Sequence, residues 1–123
     1  MPKVMPGIAR RISLFIQQEI RSLIRSGRLV SRQPGLDIRV ALALHPVGRI
    51  LIITPRASGN SPERNLIRRR FKALFYQEKL YESGFDVVIF CKKESTKLSY
   101  DQLKTTLISA LQTATNTYSK KSF

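Results

Sequence analysis

GNSPERNLIRRRFKALF, Gly59–Phe75, is the stretch on which the fold turns. Arg64, Arg68, Arg69, Arg70 and Lys72 crowd into nine residues, with Glu63 as the one acid beside them. Ser61 suits a helix N-cap, and Pro62 the first helical position, whose amide has no intrahelical partner anyway. The spacing predicts a helix over 62–80. At about 100° per residue, Ile67, Phe71, Leu74 and Phe75 share an arc of roughly 100°, a core-facing stripe. Asn65, Arg68, Arg69, Lys72 and Tyr76 share a second arc of similar width. Arg64 lies in the first turn beside the apolar arc, and Arg70 on the other flank.

Stability alone does not recommend this pattern. Arg64 faces the positive end of the helix dipole, which disfavours a cation by about 0.3–1 kcal/mol. Arg64–Arg68 and Arg68–Lys72 are like-charge pairs one turn apart, each costing about 0.2–0.5 kcal/mol. Bound phosphates reverse these signs, and arginine offers a planar fork for them. The competing reading is a solvated basic face. A DNA-reading helix fits less well, because this helix carries core residues and connects strands.

Outward from the helix, the flanks read as strands. Residues 49–54 (RILIIT) form one, ended by Pro55, which cannot donate to a ladder. Residues 85–91 (FDVVIFC) form another, apolar on nearly every position and so central in a sheet. Upstream, PGLDIRVALALHP alternates Ile38, Val40, Leu42 and Leu44 with Asp37, Arg39, Ala41 and Ala43, another strand. A turn at Pro46–Gly48 then implies an antiparallel pair with strand 49–54. A short strand near Leu29–Ser31 is an option. Residues 8–26 predict a first helix with Ile12, Ile16, Ile20, Leu23 and Ile24 on one face, stopped at Gly27. Ser99 and Gln102 form a capping box for a last helix over 100–117, with Leu103, Leu107, Ala110, Leu111 and Ala114 inward.

The order is α-β-β(-β)-α-β-α. It predicts an α+β class, a single-domain sandwich of one sheet with helices packed on it. Residues 8–117 are expected to fold as one domain within 1–123, with 1–7 and 118–123 flexible.

The chain has 123 residues, 42% of them hydrophobic, with a formal net charge of +14 and a pI of about 10.8. That imbalance calls for an anionic partner, nucleic acid first and an acidic membrane surface second. Cys91 is the only cysteine, so neither an internal disulfide nor a cysteine-based zinc cluster is available. No apolar run approaches the ~18–20 residues of a membrane span. A soluble, cytoplasmic protein is expected, with no membrane and no obligatory protein partner.

Catalytic patterns are missing. His45 is the only histidine, so no acid–base pair of histidines exists. The eight acids are scattered, and no spacing suggests a two-metal carboxylate site. RASGN lacks the Gly-Lys-Ser/Thr ending of a Walker loop. Cys91, Phe71, Phe75, Phe85 and Phe90 read as core. No catalytic residue and no metal ligand is expected in this chain.

The segment TPRASGNSPERNLIRRRFK resembles the protein subunit of bacterial ribonuclease P, whose members carry a stretch like VSKK-x-G-N-A-V-x-R-N-R-x-K-R-x-x-R. Gly59, Asn60, Arg64, Asn65, Arg68, Arg69 and Lys72 match in identity or charge. EIRSLIRSGR and GFDVVIFCKKESTKLSYDQLKTTLISAL are similar to the end of the family's first helix and to its closing strand and helix. The resemblance covers roughly residues 15–112. Leu66 stands where the family has the second arginine of its triplet, Pro55–Ala57 where it has Ser-Lys-Lys, and Glu63 where a basic or neutral residue is usual. Ile16 and Ile20 stand at the expected positions of first-helix aromatics.

The resemblance implies a sandwich with a left-handed βαβ crossover. It implies a subunit of an endoribonuclease that helps a catalytic RNA remove the 5′ leader from precursor tRNA, with Mg2+ acting at the holoenzyme level. The chemistry is then in the RNA. Arg56, Arg64, Asn65, Arg68, Arg69 and Lys72 become the contacts to the catalytic RNA. Ile16, Ile20, Arg32 and Arg39 become candidates for the precursor tRNA leader. The alternative from the residues alone is a basic ribosomal or ribosome-assembly RNA binder without an enzymatic role.

Overall fold

The structure is a computed structural model that describes residues 11–120, with side chains through Tyr118. The elements run α1 (Gln17–Ser26), β1 (Arg28–Arg32), β2 (Leu36–Leu42), β3 (Ile50–Ile53), α2 (Ser61–Gln77), β4 (Phe85–Cys91) and α3 (Tyr100–Lys120). Short 3-10 turns lie at Arg56–Ser58, Leu80–Glu82 and Lys93–Lys97. The α+β class and the element order agree with the expectation, and the optional first strand forms as β1.

The sheet order is β1-β2-β4-β3. β2 pairs antiparallel with both β1 and β4, while β3 pairs parallel with β4 at the sheet edge. The expected antiparallel pair of β2 and β3 is therefore not formed, because β4 lies between them. β4 is apolar on both faces and gains most from a neighbour on each side. The linker from Ala43 to Arg49 steps across its end. Gly48 makes the step possible: a Cβ there would overlap the Phe85 carbonyl oxygen. The Gly48 N–H donates to the Tyr81 carbonyl at 2.8 Å. The alternating pattern also outruns the sheet, since Leu42 is 58% and Leu44 69% exposed.

One sheet face carries the main core. Leu36, Ile38 and Val40 of β2 and Val87 and Ile89 of β4 meet Phe71 and Phe75 of α2 and Leu103 and Leu107 of α3. The predicted apolar stripes of both helices are the buried ones. α1 covers part of the other face, where its Leu23 lies with Ala41 and Asp86.

Helix ends differ from expectation in three places. The expected helix over 8–26 is interrupted at 12–16: Arg11 is helical, α1 begins at Gln17, and Ile12 reaches the core from the turn between them, beside β3, where the Ile50 N–H donates to its carbonyl at 2.6 Å. Residues 8–10, expected to be helical, and 1–7 and 121–123, expected to be flexible, lie outside the described residues, whereas 118–120, also expected to be flexible, are helical. α2 is capped by Asn60, not Ser61, and ends at Gln77 rather than 80, with Lys79 turned left-handed at φ 53°. α3 continues through Lys120, past the expected end at 117. Tyr118 holds this last turn, its ring centroid 5.3 Å from that of Phe85. The Ser99–Gln102 capping box forms as read, with both reciprocal bonds present at 2.8 and 3.1 Å. Among the described residues no helix is long and apolar enough to cross a membrane.

Candidate nucleic-acid interface

The basic helix starts from a rigid corner. After β3, Pro55 opens the Arg56–Ser58 turn, and the Ser58 hydroxyl donates to the Pro55 carbonyl at 2.6 Å. Gly59 follows at φ 154° and ψ 179°, a conformation that side-chain-bearing residues rarely adopt. A Cβ there would also press on Glu63 and Thr96. The corner delivers Asn60 to the cap: its side chain accepts the Glu63 N–H at 2.9 Å, and the Glu63 carboxylate accepts the Asn60 N–H at 2.9 Å. The acid that departs from the family pattern thus completes a capping box.

With Ile67, Phe71, Leu74 and Phe75 buried, the opposite face of α2 turns outward. Asn65, Arg68, Arg69 and Lys72 line one open depression with Ser61 and Pro62. Among the described residues, the ion pairs join Arg32 and Lys92 to Asp37, His45 and Arg49 to Glu19, Arg49 to Asp86, and Lys104 to Glu78. None involves Arg56, Arg64, Arg68, Arg69, Arg70 or Lys72. The protein's own carboxylates leave this face uncompensated.

The six expected contacts do not form one cluster. Arg56 is exposed on the corner before the helix. Arg64 is half-buried and turned back, with Nη2 donating to Ser61 Oγ at 3.1 Å and Nη1 lying 3.5 Å from the Thr54 carbonyl. Arg68 is half-buried too, its Nε enclosed and unbonded. Its charge is felt at Cys91. Burial pushes that thiol up to about 12, against the opposing effects of Ser95 and Arg68, so it is inert filler as read.

The second candidate area is the sheet face that α1 leaves open. Register places Arg32, Asp37, Phe90 and Ile53 in one row across the strands, and Leu29, Arg39, Val88 and Leu51 in the next. Arg39 Nη1 reaches the Gly27 carbonyl at 3.4 Å, at the negative end of α1. Arg32 is loosely tied, 3.9 Å from Asp37, which Lys92 holds at 2.8 Å. Phe90, read as core, belongs instead to this open face and is only half-buried. Its side of the strand was hidden in the sequence because β4 is apolar at nearly every position.

Ile20 is half-buried on α1, on the same flank as Ile24, which is 40% exposed and absent from the expected contacts. Ile16 stands apart from this flank. It is the N-cap of α1, 62% exposed, and lines a separate hollow with Leu14, His45 and Val47.

Arg49 is the charged residue that sequence reading passed over. It looks like a polar strand start, yet it is only 6% exposed. Its Nη1 donates to the Leu14 carbonyl at 3.0 Å and to Glu19 Oε1 at 2.9 Å, and its Nη2 to Asp86 Oδ2 at 3.3 Å. Burial would lower its pKa, but the bonds to Glu19 and Asp86 outweigh that and raise it. Glu19, bonded to Arg49, His45 and the Ile16 N–H, falls to about 2. Asp86, a lone acid within an apolar strand, was the available sequence signal for a buried cation.

Fold and surface together define a class: a small, strongly basic α+β protein whose crossover helix presents an uncompensated cationic face. Residues 8–115 match the family model Ribonuclease P. The fold is similar to the RNase P protein of Staphylococcus aureus, with TM-score 0.71 and 16% identity over 84% of this chain and 94% of that one. It is similar also to the RNase P protein of Thermotoga maritima, with TM-score 0.67 and 17% identity over 80% of this chain and 94% of that one. No curated protein matches the chain in sequence. The chain belongs to the ribonuclease P protein family. It is the RNA-binding component that assists removal of the 5′ leader from precursor tRNA, in an endoribonuclease whose catalysis lies mainly in its RNA.

Proposed function

We propose that the outward face of α2 binds the catalytic RNA. Asn65, Arg68, Arg69 and Lys72 contact its backbone, and Arg56 extends the contact from the corner. Arg64 joins at the edge of the face while bracing the helix start. The observation that carries this is the open depression of polar and cationic side chains with no carboxylate paired to them. A polyanion relieves the repulsion between those cations and gains arginine's bidentate contacts.

The precursor tRNA leader lies in the trough between α1 and the open sheet rows. Arg32 and Arg39 face its phosphates, Ile20 and Ile24 form an apolar wall, and Phe90 offers a ring on which a base can stack. Ile16 lies beyond this wall. Magnesium acts at the level of the holoenzyme. Among the described residues no group of histidine, cysteine or acidic side chains is placed to hold an ion, and Glu19 and Asp86 face Arg49 while Asp37 faces Lys92.

Reconstitution tests the reading. Purified protein mixed with catalytic RNA and precursor tRNA at low magnesium should enhance cleavage. No enhancement, together with tight binding to ribosomal RNA, would show a ribosome-associated RNA binder instead.

A further inference from the structure

We propose that Arg49 is a positioning residue for the leader trough, holding α1 at the distance from the sheet at which a single strand fits. The inference rests on reading that trough as the leader site.

α1 is weakly attached by apolar contact. It spans 10 residues and buries one side chain, Leu23. A helix of that length is marginal on its own, so its attachments decide where it sits. Arg49 supplies them at the helix start. One guanidinium binds the chain before the helix through the Leu14 carbonyl, the first turn through Glu19, and the sheet through Asp86. The Arg49 N–H adds a bond to Asp86 Oδ1 at 3.0 Å, and the Phe15 ring lies 4.4 Å from the guanidinium carbon. Glu19 is steadied in turn by His45 at 2.9 Å and by the Ile16 N–H at 3.1 Å.

These anchors belong to the two sides of the trough. Glu19 precedes Ile20 in the wall, and Asp86 lies on the same strand face as Phe90 in the floor, four residues before it, with Val88 fully buried between them. A buried ion cluster is a poor source of net stability, because desolvation offsets most of its attraction. Here the buried Nε even lacks a partner. What the cluster supplies is fixed geometry between wall and floor. Lysine keeps the charge but loses the fork that reaches three partners at once.

The test uses reconstituted holoenzyme carrying Arg49→Lys or Glu19→Gln. It measures the ratio of affinities for precursor tRNA with a leader and for the same tRNA without one. Affinity of each protein for catalytic RNA is measured alongside. Arg49→Lys should lower the leader ratio about 10-fold, as loss of an orienting group does elsewhere, with catalytic RNA affinity within about 2-fold. Glu19→Gln should lower the ratio less. Should Arg49→Lys fail to fold, Glu19→Gln decides, with its own smaller fall in the ratio expected. An unchanged ratio in the folded variants overturns the proposal, as does a ratio that falls only in step with catalytic RNA affinity. A wild-type ratio of about one overturns the trough reading itself, and this inference with it.

Discussion

Two sets of arginines in this molecule have opposite surroundings. Arg49 is buried beneath α1 with two carboxylates, a carbonyl and an aromatic ring around it. The α2 face holds Asn65, Arg68, Arg69 and Lys72 over an open depression with no acid paired to them. A cation removed from water must be neutralised inside the protein. A cation left at the surface can wait for an outside partner. The distribution of acids therefore separates the arginine that builds the structure from those left without a carboxylate partner. Glu63 shows the same division, since it lies beside the cationic face yet caps the helix and pairs with no cation there.

The contrast can be broken from either side, and Arg49→Ala is the largest expected effect. It leaves Asp86 buried without its cation and should cost about 3–5 kcal/mol, read by denaturant unfolding. Ile67→Ala should cost about 2–5 kcal/mol by opening a cavity beneath the basic helix, with a lower Tm as readout. Acid should loosen the Arg49 cluster without mutation. The folded pKa of Glu19 is about 2, below its ordinary 4.5. Its stabilisation is therefore complete above 4.5 and is lost as the pH falls toward 2. Hydrogen exchange of α1 should accelerate across that window, and Glu19→Gln should remove this pH dependence.

Smaller effects sharpen the comparison. Asn60→Ala removes the cap of α2 and should cost about 1 kcal/mol in a thermal melt. Arg69→Ala, at an exposed position, should change stability by less than about 0.5 kcal/mol. The log–log salt slope for RNA binding should flatten by about 0.7–0.9 per lost phosphate contact. Arg68→Ala should flatten it similarly, and the double variant additively. An unchanged slope in the double variant would remove this face from the RNA interface.

Much of the fold could be read directly. The two arcs of α2 separate because an amphipathic helix writes its orientation every three or four residues. The unbroken apolar run of β4 announced a central strand, and Ser99 with Gln102 announced a helix start. The candidate site was legible to the same depth: Asn65, Arg68, Arg69 and Lys72 share a helix face and so share a surface. Arg56 and Arg64 were harder, because their directions depend on the corner at Gly59 and on the end of β3.

Local periodicity and capping chemistry, written within a few turns of chain, were enough to determine the α+β class, the buried side of α2 and its cationic side. Tertiary structure alone decided that β4 separates β2 from β3, that α1 begins at Gln17, that Phe90 is half-buried on the face opposite the main core and that Arg49 lies inside. Each of those outcomes depends on which distant segment arrives as a neighbour. Strand pairing and charge burial are settled between residues far apart in sequence, where no local pattern records the partner.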